Sequence, residues 1–335
     1  LNRRPGERMR AGRGVPSVWD RMERREDKME RSAILAALPT LLREQYGRED
    51  LSLRLLREGG GQTYLAEGGE KLLVKVIGPA FAATARQSVS IMRFLEERGF
   101  PVPKTVLTRS GEAMTELPTD DGNRLVTVQA FIEGDEPDLT KRAEDVGALV
   151  GRLHNLLAQF PGEVTEHGKP FFIGRYLDFL RRKGYPRLSA YKELGEHLWR
   201  RVEDQCPAVC HGDLHRGNLL EDGDGQIFVL DFDTVCRAPV LFDVSVMCDM
   251  TDYFHLREAD IDTASAVYER FLAGYGGVRA LDPAERRSFC DWVAIRHFQL
   301  QATILEIHGI DCVGERFLDA QLDWLDGWMR AAGTE

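Results

Sequence analysis

The spacing of apolar residues changes part-way along the chain. Leu51, Leu53 and Leu55 alternate with polar neighbours, and Gln62–Ala66 and Lys71–Ile77 are short runs set off by Glu58-Gly59-Gly60-Gly61 and Gly68-Gly69. A period of two punctuated by glycine turns predicts an antiparallel meander of three strands. Leu125–Ile132 is a further β-rich run, closed by Glu133-Gly134. Elsewhere the period lengthens to that of a helix. Ser32–Tyr46 carries Ile34, Leu35, Leu38, Leu41 and Leu42 at helical spacing, with Pro39 disturbing the middle. Ala80–Arg98 carries Val89, Met92 and Leu95 on one face and stops at Gly99, before Pro101 and Pro103.

Beyond this point helical patterns dominate: Thr140–Phe160, Phe172–Lys183, Ala190–Cys206, Asp260–Tyr275, Pro283–Gly309 and Glu315–Ala332. Only Gln226–Leu230 and short stretches around Val209 and Leu219 look like strands. Trp292, Trp324 and Trp328 lie on helical patterns and are expected in the core or lining a cleft. No internal repeat is visible. The pattern predicts an α+β fold, with a small antiparallel β lobe over residues 32–132 and a larger, mainly helical lobe over 133–335.

Composition narrows the class. The 335 residues include 43% apolar and 29% charged side chains, ordinary globular usage that argues against wholesale disorder. The formal charge is −10, but residues 1–31 hold ten basic and six acidic side chains, so the rest, with 34 against 48, stands at −14. An acidic body gives no support to nucleic-acid binding. The opening segment has no apolar core of signal-peptide length and is expected to be a flexible basic extension. No apolar run approaches the roughly 20 residues that span a bilayer. Six cysteines show neither C-x-x-C nor zinc-ligand spacing, which fits reduced thiols and a cytoplasmic location.

The densest group of reactive side chains is His211-Gly212-Asp213-Leu214-His215-Arg216-Gly217-Asn218, followed by Ile227-Phe228-Val229-Leu230-Asp231-Phe232-Asp233. A loop carboxylate, an Asn five residues on, and an apolar strand ending in another carboxylate suit phosphoryl transfer, where catalysis is chiefly positioning and charge neutralisation. One carboxylate accepts the proton of the attacking hydroxyl. The Asn and the second carboxylate supply the oxygen ligands that Mg²⁺ prefers. The bland alternative is a capped turn followed by a solvated strand end. Glu221-Asp222-Gly223-Asp224-Gly225 hints at a calcium loop but lacks the later ligands, so it reads as a hairpin turn.

His211-Gly212-Asp213 with Asn218 and the Asp231-Phe232-Asp233 motif resembles the aminoglycoside phosphotransferase and choline kinase family, whose loop reads H-G-D-x-x-x-x-N and whose metal motif is D-F-D/E. The resemblance covers about residues 50–330. It implies a bilobal protein-kinase-like fold, with Asp213 as catalytic base and Asn218 and Asp231 as Mg²⁺ ligands. Asp233 becomes a further ligand or a carboxylate just behind the metal, and His215 a supporting neighbour. The resemblance also implies that Asp243 braces the catalytic loop.

In the small lobe, the glycines before Gln62 and Thr63 allow backbone N–H groups close to phosphates. Gly60, Gly61, Gln62 and Thr63 are therefore nucleotide-binding candidates. Lys75, awkward to bury in Leu72-Leu73-Val74-Lys75-Val76, is the candidate for the ATP phosphates, with Lys71 on the same face as fallback. Val128–Gly134 resembles the adenine-binding hinge, with backbone groups around Ala130 and Ile132. The family's lysine pairs with a glutamate on the next helix, where this chain has Gln87 and Ser88; the first glutamate, Glu96, comes too late.

The expected activity is transfer of the ATP γ-phosphate to a hydroxyl of a small acceptor, aminoglycoside-like, choline-like or homoserine-like. Seven acids against two arginines over 241–270 suit a cationic acceptor. A noncatalytic nucleotide-binding scaffold is the alternative, which the absent helix glutamate favours. A protein kinase is disfavoured because no A-P-E follows the Asp231-Phe232-Asp233 motif. Acceptor identity and oligomeric state stay open.

Overall fold

The structure is a computed structural model and describes residues 18–58, 61–119 and 122–333, with side chains in the first span described for 32–57. Contacts divide the chain into two compact units, one running to Ala82 and including Val106–Ala130, the other made of Ala83–Thr105 and the chain from Phe131 onward.

The first unit joins a helix, α1 (Val18–Tyr46), to five antiparallel strands: β1 (Ser52–Glu58), β2 (Gly61–Gly68), β3 (Glu70–Ile77), β4 (Thr115–Thr119) and β5 (Gly122–Ala130). Their order in the sheet is β1-β2-β3-β5-β4. The expected meander is β1, β2 and β3. In β3, Leu72, Val74 and Val76 are buried while Lys71 is exposed and Lys75 half-exposed, as alternation requires. The buried face of the sheet forms one core with Ile34, Leu38, Leu42 and Tyr46 of α1. Two features depart from the sequence pattern. Strand β4 carries no visible signal because Pro118 interrupts it, which an edge strand tolerates. Helix α1 begins at Val18, inside the segment expected as a flexible extension; residues 1–17 lie outside the described residues.

The second unit contains helices α2 (Ala82–Glu96), α3 (Leu139–Leu157), α4 (Arg175–Lys183), α5 (Leu188–Arg200), α6 (Leu241–Cys248), α7 (Glu258–Gly276), α8 (Pro283–Arg287), α9 (Phe289–His308) and α10 (Glu315–Ala331). Two short antiparallel pairs cross it, β6 (Ala208–Cys210) with β9 (Cys236–Ala238) and β7 (Leu219–Glu221) with β8 (Ile227–Val229). Most of α2, counted with the small lobe on sequence, belongs here, because Ile91, Met92, Phe94 and Leu95 join the large core. The division falls after Ala130, so Phe131 and Ile132, expected to extend the last strand, lie in the second unit. One expected helix over 283–309 is two, broken at Ser288 after Asp282 and Glu285 form a capping box. Helix α6 shows no helical period in the sequence because all eight of its residues are buried, leaving no polar face to set one. The three tryptophans are core residues. Among the described residues no helix is long and apolar enough to cross a membrane.

Helices α3 and α7 approach through glycines. A Cβ at Gly147 would strike the Phe271 carbonyl, and one at Gly274 the Glu144 carbonyl. Backbone on each side cannot step aside as a flexible side chain would. Gly274→Ala is therefore expected to destabilise the protein by about 1–3 kcal/mol or more, read as a fall in denaturant midpoint at unchanged m-value.

His297 sits in the core, stacked on Trp324 at 4.2 Å between centroids, with Nε2 2.6 Å from Gln321 Oε1. Burial pushes its pKa down from 6.5 to about 3. A depressed histidine pKa means that the unfolded chain takes up the proton first. Its contribution is intact above about pH 6.5 and is lost as the pH falls toward 3. The thermal midpoint should drop across that window, and His297→Gln should shallow the slope relative to wild type.

Candidate functional site

The chemistry-bearing residues of the second unit are set by two hairpin-like pairings. Strands β6 and β9 pair from Ala208↔Ala238 to Cys210↔Cys236, and β7 pairs with β8 from Leu219↔Val229 to Glu221↔Ile227. The loop after β6 and the turn after β8 consequently run side by side. His211 Nε2 donates to the Leu230 carbonyl at 2.8 Å, and the Leu230 N–H donates to the Asn218 carbonyl at 2.9 Å. With Nε2 carrying the hydrogen, His211 Nδ1 accepts from the Asp213 N–H at 3.4 Å. His211 thus holds two backbone segments together through both of its ring nitrogens.

Beneath the loop lies Asp243, fully buried on α6. Its Oδ2 accepts from the His211 N–H at 2.6 Å and from His154 Nε2 at 3.1 Å, and its Oδ1 accepts from the Gly212 N–H at 2.9 Å. His154 Nδ1 in turn meets the Tyr275 hydroxyl at 2.8 Å. Burial alone would raise the carboxyl pKa, but His154 and the backbone donors outweigh it and hold it below the ordinary value. Gly212 completes the turn: its φ is +86°, and a Cβ there would strike the Thr234 carbonyl. His154, Cys210 and Asp243 lie close enough to hold a metal, but their groups are engaged with one another's neighbours, Cys210 Sγ with the Ala238 carbonyl at 3.2 Å. This cluster is a brace.

Asp213 follows immediately. Asn218 Nδ2 donates to the Asp213 carbonyl at 2.9 Å, which leaves the Asn218 Oδ1 as a hard oxygen donor. Asp231, two residues past β8, is held in the left-handed region with φ 62° and ψ 68°. A non-glycine residue there carries strain that only a well-determined surrounding sustains, and aspartate is among the side chains that tolerate it. Asn218 and Asp231 are thus oxygen donors on the two adjoining segments, a set that fits Mg²⁺ rather than a soft metal. Asp233 is exposed and lines a cavity with Asp213. His215 faces Asp213 at 3.7 Å, beyond hydrogen-bond length, and its Nδ1 accepts from the Gly217 N–H at 3.0 Å. Burial lowers its pKa against the pull of Asp213.

Two residues that the sequence did not single out shape this region. Arg296 of α9 donates from Nη2 to Asp213 Oδ1 at 2.6 Å and from Nη1 to Gln299 Oε1. Arg175 of α4 lines the same cavity of about 400 Å³. The available signal for Arg296 was a charged residue inside the apolar run Trp292-Val293-Ala294-Ile295-Arg296, where a solvated arginine is out of place.

A sequence model of the phosphotransferase enzyme family matches residues 52–289. The chain belongs to that family. Homoserine kinase of Methylobacillus flagellatus is 26% identical over 205 residues, which is 60% of this chain and 62% of that protein. An uncharacterized protein of Deinococcus radiodurans is 24% identical over 323 residues, 89% of this chain and 91% of the other. The match thus spans less than two thirds of the M. flagellatus enzyme and more than nine tenths of the D. radiodurans protein. Among solved structures, an amicoumacin kinase in complex with AMP-PNP and Ca²⁺ superposes with a TM-score of 0.70 at 15% identity, covering 92% of this chain and 96% of that one. A microcompartment-associated aminopropanol kinase gives 0.69 at 20% identity, covering 89% and 96%. These likenesses show the kinase-like fold.

In this phosphotransferase-family chain the nucleotide candidates of the first unit fall on adjacent strands. Thr63 of β2 is opposite Lys75 of β3, and Lys75 is opposite Thr127 of β5. Gly61 approaches the Val76 carbonyl so closely that a Cβ would clash. Gln62 pairs with Val76 and also takes a hydrogen bond from the Tyr64 hydroxyl at 2.5 Å. Gly60 lies outside the described residues. Ala130 is the last paired residue of β5, opposite Leu72, and Ile132 lies beyond the sheet. Gln87 of α2, in the second unit, lines the cavity with Asp213 and donates to the Glu163 carbonyl at 2.7 Å. The acids of 241–270 do not form one surface: Asp243 is buried, Asp260 pairs with Arg257 at 2.8 Å, and none of the seven lines the cavity.

Asp243→Asn replaces an acceptor by a group that must turn one N–H₂ toward backbone donors. Loss of activity by about 10²-fold or more is expected with nucleotide affinity little changed, measured as kcat beside ATP binding by calorimetry.

Proposed function

We propose that the chain is an ATP-dependent kinase that transfers the γ-phosphoryl group to the hydroxyl of a small acceptor carrying an amine. The observation that supports it most is the placement of Asp213, Asn218 and Asp231 on two segments locked by His211, with Asp213 lining a cavity within the same unit. Asp213 Oδ1 is taken by Arg296, so Oδ2 is the oxygen that accepts the acceptor's hydroxyl proton. The buried Asp243 brace keeps that carboxylate in place during proton transfer, which limits reorganisation. Mg²⁺, when bound, would be held by Asn218 and Asp231, with Asp233 nearby, and would neutralise phosphate charge. Lys75, beside Thr63 and Thr127, is the cation for the nucleotide phosphates, and the backbone from Gly61 to Thr63 lies next to it in the sheet. Ala130 and Ile132 are the backbone positions proposed for adenine. All six thiols are unpaired, which suits a reducing compartment such as the cytoplasm.

The test is ADP formation with Mg²⁺ and ATP over ethanolamine, 3-amino-1-propanol, choline, L-homoserine and spectinomycin. Asp213→Asn should lower turnover by roughly 10²–10⁴-fold, the range for general-base removal, while ATP binding persists. Nucleotide binding without phosphorylation of any acceptor would identify the noncatalytic scaffold instead.

A further inference from the structure

The cavity beside Asp213 has an unusual charge arrangement for a site that takes a cation. Its lining includes two arginines, Arg175 and Arg296, against three carboxylates, Asp213, Asp233 and Glu306. Two of those carboxylates are already held: Asp213 by Arg296 at 2.6 Å and Glu306 by Arg175 Nη1 at 2.7 Å. His167 also lines the cavity, and burial and Arg175 lower its pKa, so its ring adds no positive charge to that of the two arginines. An acceptor bringing only positive charge would meet two fixed guanidinium groups whose counter-charges are in use.

Both arginines are built into the wall. The Arg296 side chain is 14% exposed and is fixed at both Nη atoms. Arg175 lies over the Phe171 ring at 3.9 Å, donates from Nε to the Phe171 carbonyl at 2.9 Å, and keeps a buried Nη2 with no hydrogen-bond partner. A guanidinium nitrogen shut away from water without an acceptor carries a desolvation penalty that a bound anion would relieve. The planar fork of arginine is matched by a carboxylate, which takes two parallel hydrogen bonds.

We propose that the acceptor bears a carboxylate, received by Arg296 and Arg175, on the same short chain as the hydroxyl that is phosphorylated. The substrate class is a small hydroxy amino acid rather than a polycationic amino sugar or a simple amino alcohol. The shortness follows from geometry. Arg296 touches Asp213 Oδ1 directly, and the reacting hydroxyl must reach the other oxygen of that carboxylate, so both acceptor groups sit around one side chain. The inference rests on the assignment of Asp213 as base, and it makes Arg296 and Arg175 specificity-determining residues. It also narrows the acceptor charge expected from the acidic stretch 241–270, none of whose acids lines the cavity.

The test pairs each acid with the same molecule lacking its carboxylate: L-homoserine with 3-amino-1-propanol, L-serine with ethanolamine, and 4-hydroxybutanoate with 1-propanol, with spectinomycin and choline alongside. Wild-type kcat/KM should favour one of the acids over its decarboxylated partner by roughly 10²-fold or more. Arg175→Met, which leaves the Asp213 pair intact, should raise KM for the acid by a larger factor than for its decarboxylated partner. Arg296→Met should slow both and shrink their ratio by about tenfold or more. Equal or better turnover of the carboxylate-free acceptors, or of spectinomycin or choline, would overturn the acceptor class and leave the kinase intact. Equal loss on both members of a pair in both variants would show that the arginines only position Asp213. ATP binding with no acceptor phosphorylated would remove the kinase assignment, and this inference with it. The wild-type comparison needs no variant, and thermal midpoints of the variants separate misfolding from lost recognition.

Discussion

The buried carboxylate of Asp243 sets the conditions for everything around it. An ionised group with no access to water is unfavourable unless donors surround it, and here they come from His154 of α3 and from the backbone of His211 and Gly212. Those donors belong to segments far apart in the chain, so the charge ties a helix, the α6 segment that carries Asp243 and the loop after β6 into one unit. The loop has little freedom left once two consecutive N–H groups point at the same carboxylate. Gly212 accommodates the resulting positive φ, and Asp213 emerges at the next position with its carbonyl held by Asn218.

Rigidity of this kind is what phosphoryl transfer asks of a protein, because the group transferred needs little covalent help and much orientation. The left-handed conformation of Asp231 fits the same picture. Local strain is concentrated where a carboxylate has to be delivered from the end of a strand, and the paired segments on either side sustain it. In the first unit the organising device is different. There the alternation of β3 leaves Lys75 on the face opposite the apolar core, between threonines of the two neighbouring strands.

The ion pair between Arg296 and Asp213 changes how charge in the molecule is understood. The net charge of −10 and the acids of 241–270 invite the picture of an acidic trap for cations. Side-chain placement dissolves it: one of those acids is the brace, another is paired to Arg257, and the cavity has arginines in its wall. Net charge is a sum over the whole surface, whereas recognition depends on the few groups that face the ligand in a restricted dielectric.

The residues alone were enough to reveal the β-rich and helical parts, the strands β1, β2, β3 and β5, most of the long helices, and the group His211, Asp213, Asn218, Asp231 and Asp233. These are carried by short-range information: a period of two or 3.6, a glycine turn, a fixed spacing of polar side chains along one loop and one strand. Helix α6 was invisible because total burial erases periodicity, and β4 because one proline and one buried leucine make no pattern. The transfer of α2 to the second unit, and the meeting of Arg296 and Arg175 in a cavity with Asp213, required the fold itself. Residue 296 lies 83 positions from residue 213, and no local rule couples them. Only packing of α9 against the loop after β6 brings that guanidinium to that carboxylate, because which distant side chains meet is fixed by burial of the whole core rather than by neighbours in the chain.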